Sequence, residues 1–301
     1  MLNLSVIILT YNEEIHIRRC IENVKGITDK VFVVDCFSTD KTVEIATGLG
    51  AEVVMHEWPG NQADQFNWAL DNIPINTEWV LRLDADEYLS DKLINELNAR
   101  LPDINSNISA VTLPLGRAFM GKILKYGIVN DVNMIRLFRR GKARYEKRLM
   151  DEHLLVLEGN TVTFRHKFID DNRNSLKYFI DKHNGYSSRE AALLLDAEYD
   201  LTQTNYTTMT AEYCEDVKRK REQKKKYAKL PLFWRAFAYF SYRYIIKLGF
   251  LDGKEGFLWD FFQGLWYRML VDAKIYEIKK ACGNDKEKIK SMLHDKYHIS
   301  I

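Results

Sequence analysis

Residues 78–88 read EWVLRLDADEY. An apolar strand pattern, WVLRL, runs straight into Asp84, Asp86 and Glu87. Carboxylates that close repel one another and favour solvent. Such a cluster at a strand end is either a charged turn or the seat of a cation, and the neighbouring segments decide between the two.

Toward the N-terminus the same pattern repeats. LSVIIL (4–9), VFVVD (31–35) and AEVVM (51–55) are short β-branched runs of the kind buried on both faces of a parallel sheet. Between them, Ile17, Cys20, Ile21 and Val24 recur at helical spacing, as do Val43, Ala46 and Leu49 before Gly50. Ala63, Phe66, Leu70 and Ile73 line a third helix. Strands alternating with helices predict βαβ units and a mostly parallel, doubly wound α/β sheet. Ligands of such sheets bind beyond the carboxyl ends of the strands. From about residue 105 the pattern shifts to SAVTLPL, VNMIRLF and NTVTFRH, read as further strands of antiparallel type, and beyond about 172 it is helical.

Composition narrows the class. The chain has 301 residues, 46% hydrophobic and 29% charged, with a formal net charge of +2, so a packed core is expected and general disorder is not. Cys20, Cys36, Cys214 and Cys282 are scattered with no CxxC pair, which suits a reducing compartment. The N-terminal segment lacks the features of a signal peptide, and no apolar run reaches the length of a spanning helix. A cytoplasmic protein is expected.

The polar groups after the strands are Thr10-Tyr11-Asn12-Glu13-Glu14, Asp35 with Ser38 and Asp40, Gly60-Asn61-Gln62, and the Asp84–Glu87 cluster. Neither GxGxxG nor GxxxxGK[ST] follows the first strand, so the usual backbone cradles for a diphosphate are missing. A nucleotide here needs its charge neutralised by a divalent cation, and hard carboxylate ligands select magnesium or manganese. Asp84 and Asp86 can reach one ion and a ribose edge together; Asp35 can accept from a base N–H or a ribose hydroxyl.

In order and spacing, VIILTYNEE, VVDCFSTDKTVEIA, GNQADQFNWAL and LRLDADE resemble the nucleotide-sugar-binding half of family 2 glycosyltransferases of the GT-A fold. MIRLFRRGKARYEKRLMDEHLLVLEG and LDGKEGF resemble the subgroup that includes bacterial lipopolysaccharide core β-glucosyltransferases. The resemblance is close over residues 3–170 and looser over the helical remainder. It implies a catalytic domain at 1–170 and a helical, acceptor- or membrane-associated region at 171–301.

It also implies roles. Thr10, Tyr11 and Glu13 line the uridine pocket, Asp35 holds the uracil, and Asp40 supports its loop or merely caps the following helix. Asp84 and Asp86 match the DxD pair, with Asp86 the more direct metal ligand; His166 could complete the metal site or be satisfied by a neighbour. The base that deprotonates the acceptor aligns with Glu152 in MDEHL, with Asp151 as its rival. Arg136, Arg139 and Arg144 are candidate phosphate or acceptor contacts.

The implied enzyme is an inverting, metal-dependent hexosyltransferase moving glucose or a related sugar from a UDP-sugar to a lipopolysaccharide, glycolipid or cell-surface polysaccharide. A protein acceptor, or a catalytically silent nucleotide-sugar-binding membrane module, are the alternatives. The cationic run KRKREQKKKYAK (218–229) precedes Phe233, Trp234, Phe237, Phe240 and Tyr244 at helical spacing. That pattern suits either one buried face or an element lying on anionic lipid at the inner face of the cytoplasmic membrane, rather than a nucleic-acid patch.

Overall fold

The computed structural model describes residues 1–129, 132–146, 153–202, 222–224 and 226–299. They divide into two units, the first formed by residues 1–124 and 129–173, the second by 125–128 with the described residues from 174 onward.

The first unit is built on a mixed sheet. Its strands are β1 (Leu4–Thr10), β2 (Lys30–Asp35), β3 (Glu52–Met55), β4 (Trp79–Asp84), β5 (Glu87–Leu89), β6 (Ile108–Phe119), β7 (Lys122–Leu124), β8 (Asn133–Arg139), β9 (Ala143–Tyr145), β10 (Leu154–Val156), β11 (Asn160–Thr163) and β12 (Phe168–Asp170). The order is β3-β2-β1-β4-β8-β6-β12-β5, and β9 pairs with β10 apart from it. Strands β3, β2, β1 and β4 run parallel, as the alternation of strand and helix patterns predicts. Strand β8 is antiparallel to both β4 and β6, whereas β11 and β12 are parallel to β6.

Helices α1 (Ile17–Val24), α2 (Thr42–Gly48), α3 (Gln62–Asn72) and α4 (Asp91–Arg100) flank this sheet. Side chains alternate along β1, so each face finds its own helix. Leu4, Val6 and Ile8 share a core with Ile17, Cys20, Ile21 and Val24 of α1 and Leu93 and Leu97 of α4. Ile7 and Leu9 point the other way, into a core with Ala63, Phe66 and Ala69 of α3. The Asn61 side chain accepts the Asp64 N–H at 2.7 Å and caps α3, fixing where that helix begins.

The second unit is helical. Helix α5 (Leu176–Tyr199) is capped by Ser175, and α6 (Trp234–Ser241) runs into a π-helical turn at Tyr242–Ile246. Then come α7 (Gly253–Asp260), α8 (Tyr267–Cys282) and α9 (Lys286–Tyr297). Leu195, Val271, Ile275, Ile278, Ile289 and Leu293 form the core of α5, α8 and α9. No described helix is long and apolar enough to cross a membrane.

Candidate functional site

Parallel register brings the strand ends level. Thr10 pairs with Asp35 across β1 and β2, and Leu9 pairs with Asp84 across β1 and β4. The loops leaving these strands are tied to one another. Thr10 Oγ1 donates to Asp35 Oδ2 at 2.7 Å, and Ser38 donates its N–H and its hydroxyl to the same carboxylate at 2.7 and 2.6 Å. Asp35 is fully buried, so its carboxylate shapes the two loops from beneath. Asn12 and Phe37 both hold left-handed backbone, with φ of 55° and 60°. Asn12 Oδ1 accepts the Thr39 N–H at 2.8 Å, which ties these two turns together. Strained non-glycine turns of this kind persist where surrounding bonds determine them.

Asp40 does both things expected of it. It caps α2 by accepting the Thr42 N–H at 2.9 Å, and it accepts the Glu14 N–H at 3.1 Å from the first loop. Partial burial works to raise its pKa, but the bonds from Thr42 and Glu14 outweigh it and hold the carboxyl below its ordinary value. Tyr11 stays 59% exposed above this framework. Glu13 Oε2 lies 2.5 Å from His16 Nδ1. The buried His16 accepts the Arg173 N–H on Nε2 at 2.8 Å, so its proton sits on Nδ1 and it donates to Glu13.

At the DxD pair the decisive partners are arginines. Arg82 and Asp84 alternate onto one face of β4. Arg82 Nη2 donates to Asp84 Oδ1 at 3.0 Å and to Gln62 Oε1 at 3.0 Å, while Arg136 Nη2 donates to Asp84 Oδ2 at 3.2 Å. Arg136 also reaches Glu87 Oε1 at 2.5 Å, and Glu87 Oε2 accepts the Asp84 N–H at 2.9 Å. Desolvation opposes ionisation of Asp84, but Arg82 and Arg136 overcome it and hold its carboxyl well below the usual carboxylate range. For Glu87 burial dominates and, helped by the Asp84 charge, pushes it up to about 8 against the pull of Arg136. Asp84 is thus the fixed negative charge of the cluster.

Asp86 is half-exposed at the turn after β4. Its Oδ2 accepts from Asn172 Nδ2 at 2.9 Å, and its carbonyl accepts from the Asp171 N–H at 3.0 Å and from Arg19 Nη2 at 2.9 Å. Among the described residues no group of three or more His, Cys, Asp or Glu could by itself hold a metal ion. Magnesium bound with a nucleotide commonly uses one or two carboxylates plus phosphate oxygens. Asp86, with the lone pairs left on Asp84, fits that smaller donor set.

Two expectations are corrected by position. His166 stands five residues before Asp171, at the other end of β12, where its N–H and Nδ1 both meet Glu96 Oε2, at 3.0 and 2.9 Å. Asn172, not His166, is brought to Asp86. Arg136 is only 3% exposed and paired with Glu87 and Asp84, so it positions Asp84 and is not open to a phosphate. Arg139 donates to the Ile108 carbonyl at 2.8 Å and pairs with Glu78, and Arg144 grips Asp71 through both oxygens, so both serve the scaffold.

Asp151 and Glu152 lie outside the described residues. The flanking hairpin is anchored beside the DxD pair: Asn67 exchanges two 3.0 Å bonds with the Tyr145 backbone, and Arg82 donates to the Tyr145 hydroxyl. Sequence reasoning missed Arg82, Asn172 and His16. Only Arg82 left a signal, a lone cation inside an otherwise apolar strand.

Residues 5–171 match the profile of the family described as Glycosyl transferase family 2. An uncharacterized glycosyltransferase of Rickettsia typhi is 47% identical over 97 residues, which is 32% of this chain and 32% of that protein. The match therefore spans about a third of that relative's length. The lipopolysaccharide core biosynthesis glycosyltransferase LpsC of Rhizobium meliloti is 27% identical over 286 residues, covering 92% of this chain and 93% of LpsC. Among solved structures, S. aureus TarS 1–349 aligns over 99% of this chain and 91% of its own, with 16% identity and a TM-score of 0.45.

Proposed function

This chain belongs to glycosyltransferase family 2, and on that premise we propose that it is an inverting, metal-dependent enzyme moving a hexose from a UDP-sugar to a lipopolysaccharide-core or related glycolipid acceptor. The observation that carries the reading is that Thr10, Asp35 and Asp84 end three neighbouring parallel strands, Asp84 opposite Leu9 and one residue out of step with Thr10 and Asp35, with Asp86 half-exposed just beyond them. Likeness to LpsC over nearly the whole chain supports the acceptor class.

In this reading Thr10, Tyr11 and Glu13, with Asp35 beneath them, form the nucleoside end of the donor site. Arg82 and Arg136 keep Asp84 ionised and aimed at the strand end, so it needs no rearrangement to meet a ribose hydroxyl or a cation. Asp86, with Asp84, would hold magnesium or manganese. Such an ion supplies Lewis-acid relief of the charge on the departing diphosphate. Glu152, with Asp151 as the rival, takes the proton from the acceptor hydroxyl as that oxygen attacks the anomeric carbon.

A donor screen read by UDP release, run with lipid-linked core oligosaccharides and with their soluble fragments, tests the reading. UDP release from a UDP-hexose that depends on the acceptor is the expected result. Turnover with a different nucleotide sugar, or with no glycolipid, would replace it.

A further inference from the structure

Helix α6 and the π-helical turn after it are amphipathic in the inverted sense. Their buried face carries cations: Arg235 is 3% exposed and Arg243 5%. Arg235 Nε donates to Asp272 Oδ1 at 2.8 Å, and Arg243 Nε to Asp260 Oδ1 at 2.8 Å. The outer face carries Trp234 at 75% exposure, Phe237 at 48%, Ile245 at 58% and Ile246 at 67%. Phe250 and Leu251, in the next turn, are also exposed. A surface helix in water buries its apolar stripe and exposes its charges. Buried ion pairs give little net stability over apolar packing, so the inversion is not explained by folding energy. A contiguous exposed patch of aromatic and aliphatic side chains marks a contact surface.

The charges around this patch select its partner. Of the three carboxylates between residues 226 and 260, Asp252 and Asp260 are buried and Glu255 is half-buried. Asp252 Oδ2 is further occupied by the N–H groups of Lys125 and Tyr126, each at 2.8 Å. Lys226, Lys229 and Lys254 are exposed. A water-facing apolar surface rimmed by lysines complements anionic lipid.

We propose that Trp234, Phe237, Ile245 and Ile246 form a membrane-docking face that inserts into the interface of an anionic bilayer, with Lys229 and Lys254 against the headgroups. This replaces the helical face expected from sequence, since Phe233, Phe240 and Tyr244 are half-buried and pack within the helical unit. Of the cationic run, residues 222–224 and 226–229 are described; 218–221 and 225 lie outside the described residues. Docking stands apart from the donor chemistry and rests on the proposed function only for its purpose, which is to reach a lipid-borne acceptor.

The test is co-sedimentation of the full chain with vesicles of phosphatidylethanolamine and phosphatidylglycerol, against phosphatidylcholine alone. Binding to the anionic vesicles is expected, and Trp234→Ser with Ile246→Ser should weaken it by about tenfold or more. Lys229→Gln with Lys254→Gln should weaken it on anionic vesicles and leave the salt-resistant remainder. UDP affinity, measured on the same proteins, should not change; it reads the donor site separately. Wild type that ignores anionic vesicles, or a Trp234/Ile246 double variant that binds them as well as wild type, overturns the proposal. So does a double variant that only turns a dimer into a monomer, because a second copy then covers the face. Should that variant not fold, hydrogen exchange over residues 234–251 of the wild type decides: slowing by anionic vesicles supports docking, and no change refutes it.

Discussion

Arg136 Nη2 sits 2.5 Å from Glu87 Oε1, and both side chains are nearly inaccessible to water. The same nitrogen reaches Asp84 Oδ2 at 3.2 Å, so one guanidinium serves two carboxylates at the end of β4. Arg82 takes the other Asp84 oxygen, so two guanidiniums converge on one fixed carboxylate, with the buried Glu87 beside it.

Removing one member leaves the others uncompensated. Arg136→Met should cost about 3–5 kcal/mol of stability, as expected when one partner of a buried pair is lost. Urea unfolding measures it. A loss comparable to that of Arg144→Met, whose pair with Asp71 is largely exposed, would show that the network is not what holds this strand end.

Glu87 gives the site a pH signature. Burial raises its pKa from 4.5 to about 8, so in that interval the native state retains a proton the unfolded chain has shed. The stabilising contribution is full below pH 4.5 and is lost as pH rises through about 8. Glu87→Gln should therefore flatten the fall in melting temperature between those values. An unaltered profile in the variant would assign the dependence to other groups.

Cys36 reports on the second strand end. Burial, aided by the neighbouring Asp35 charge, pushes its thiol up to about 11. Only about a thousandth is then thiolate at pH 8, and alkylation by iodoacetamide should be correspondingly slow. Asp35→Asn should speed it modestly, since burial remains, and should weaken UDP and UMP equally. An effect on UDP with none on UMP would move Asp35 away from the nucleoside end.

The sheet was legible because each β-branched run is local and its period differs from that of the helices beside it. Gly50 marked a helix boundary from sequence alone, whereas the capping role of Asn61 came only with the structure. The pairing of Arg136 with Asp84 was not legible, because Arg136 reaches it only through the antiparallel pairing of β8 with β4. His166 misled because TVTFRH reads as one strand, while the structure ends β11 at Thr163 and gives the histidine to Glu96. Helical spacing of Phe233, Trp234, Phe237, Phe240 and Tyr244 was real, but spacing cannot tell that Arg235 and Arg243 take the buried side.

The base assignment separates binding from chemistry. Glu152→Gln keeps shape and hydrogen bonding but cannot accept the acceptor proton, so turnover should fall by roughly 10²–10⁴ while donor affinity persists. An active Glu152→Gln beside an inactive Asp151→Asn would move the role by one residue.

The most direct measurement is UDP affinity by calorimetry in three states: wild type with magnesium or manganese, wild type with EDTA, and Asp86→Asn with metal. Metal should tighten wild-type binding by about tenfold or more, and Asp86→Asn should match the EDTA-treated protein. Equal affinity in all three states would contradict a divalent-cation and sugar-nucleotide site at Asp84 and Asp86.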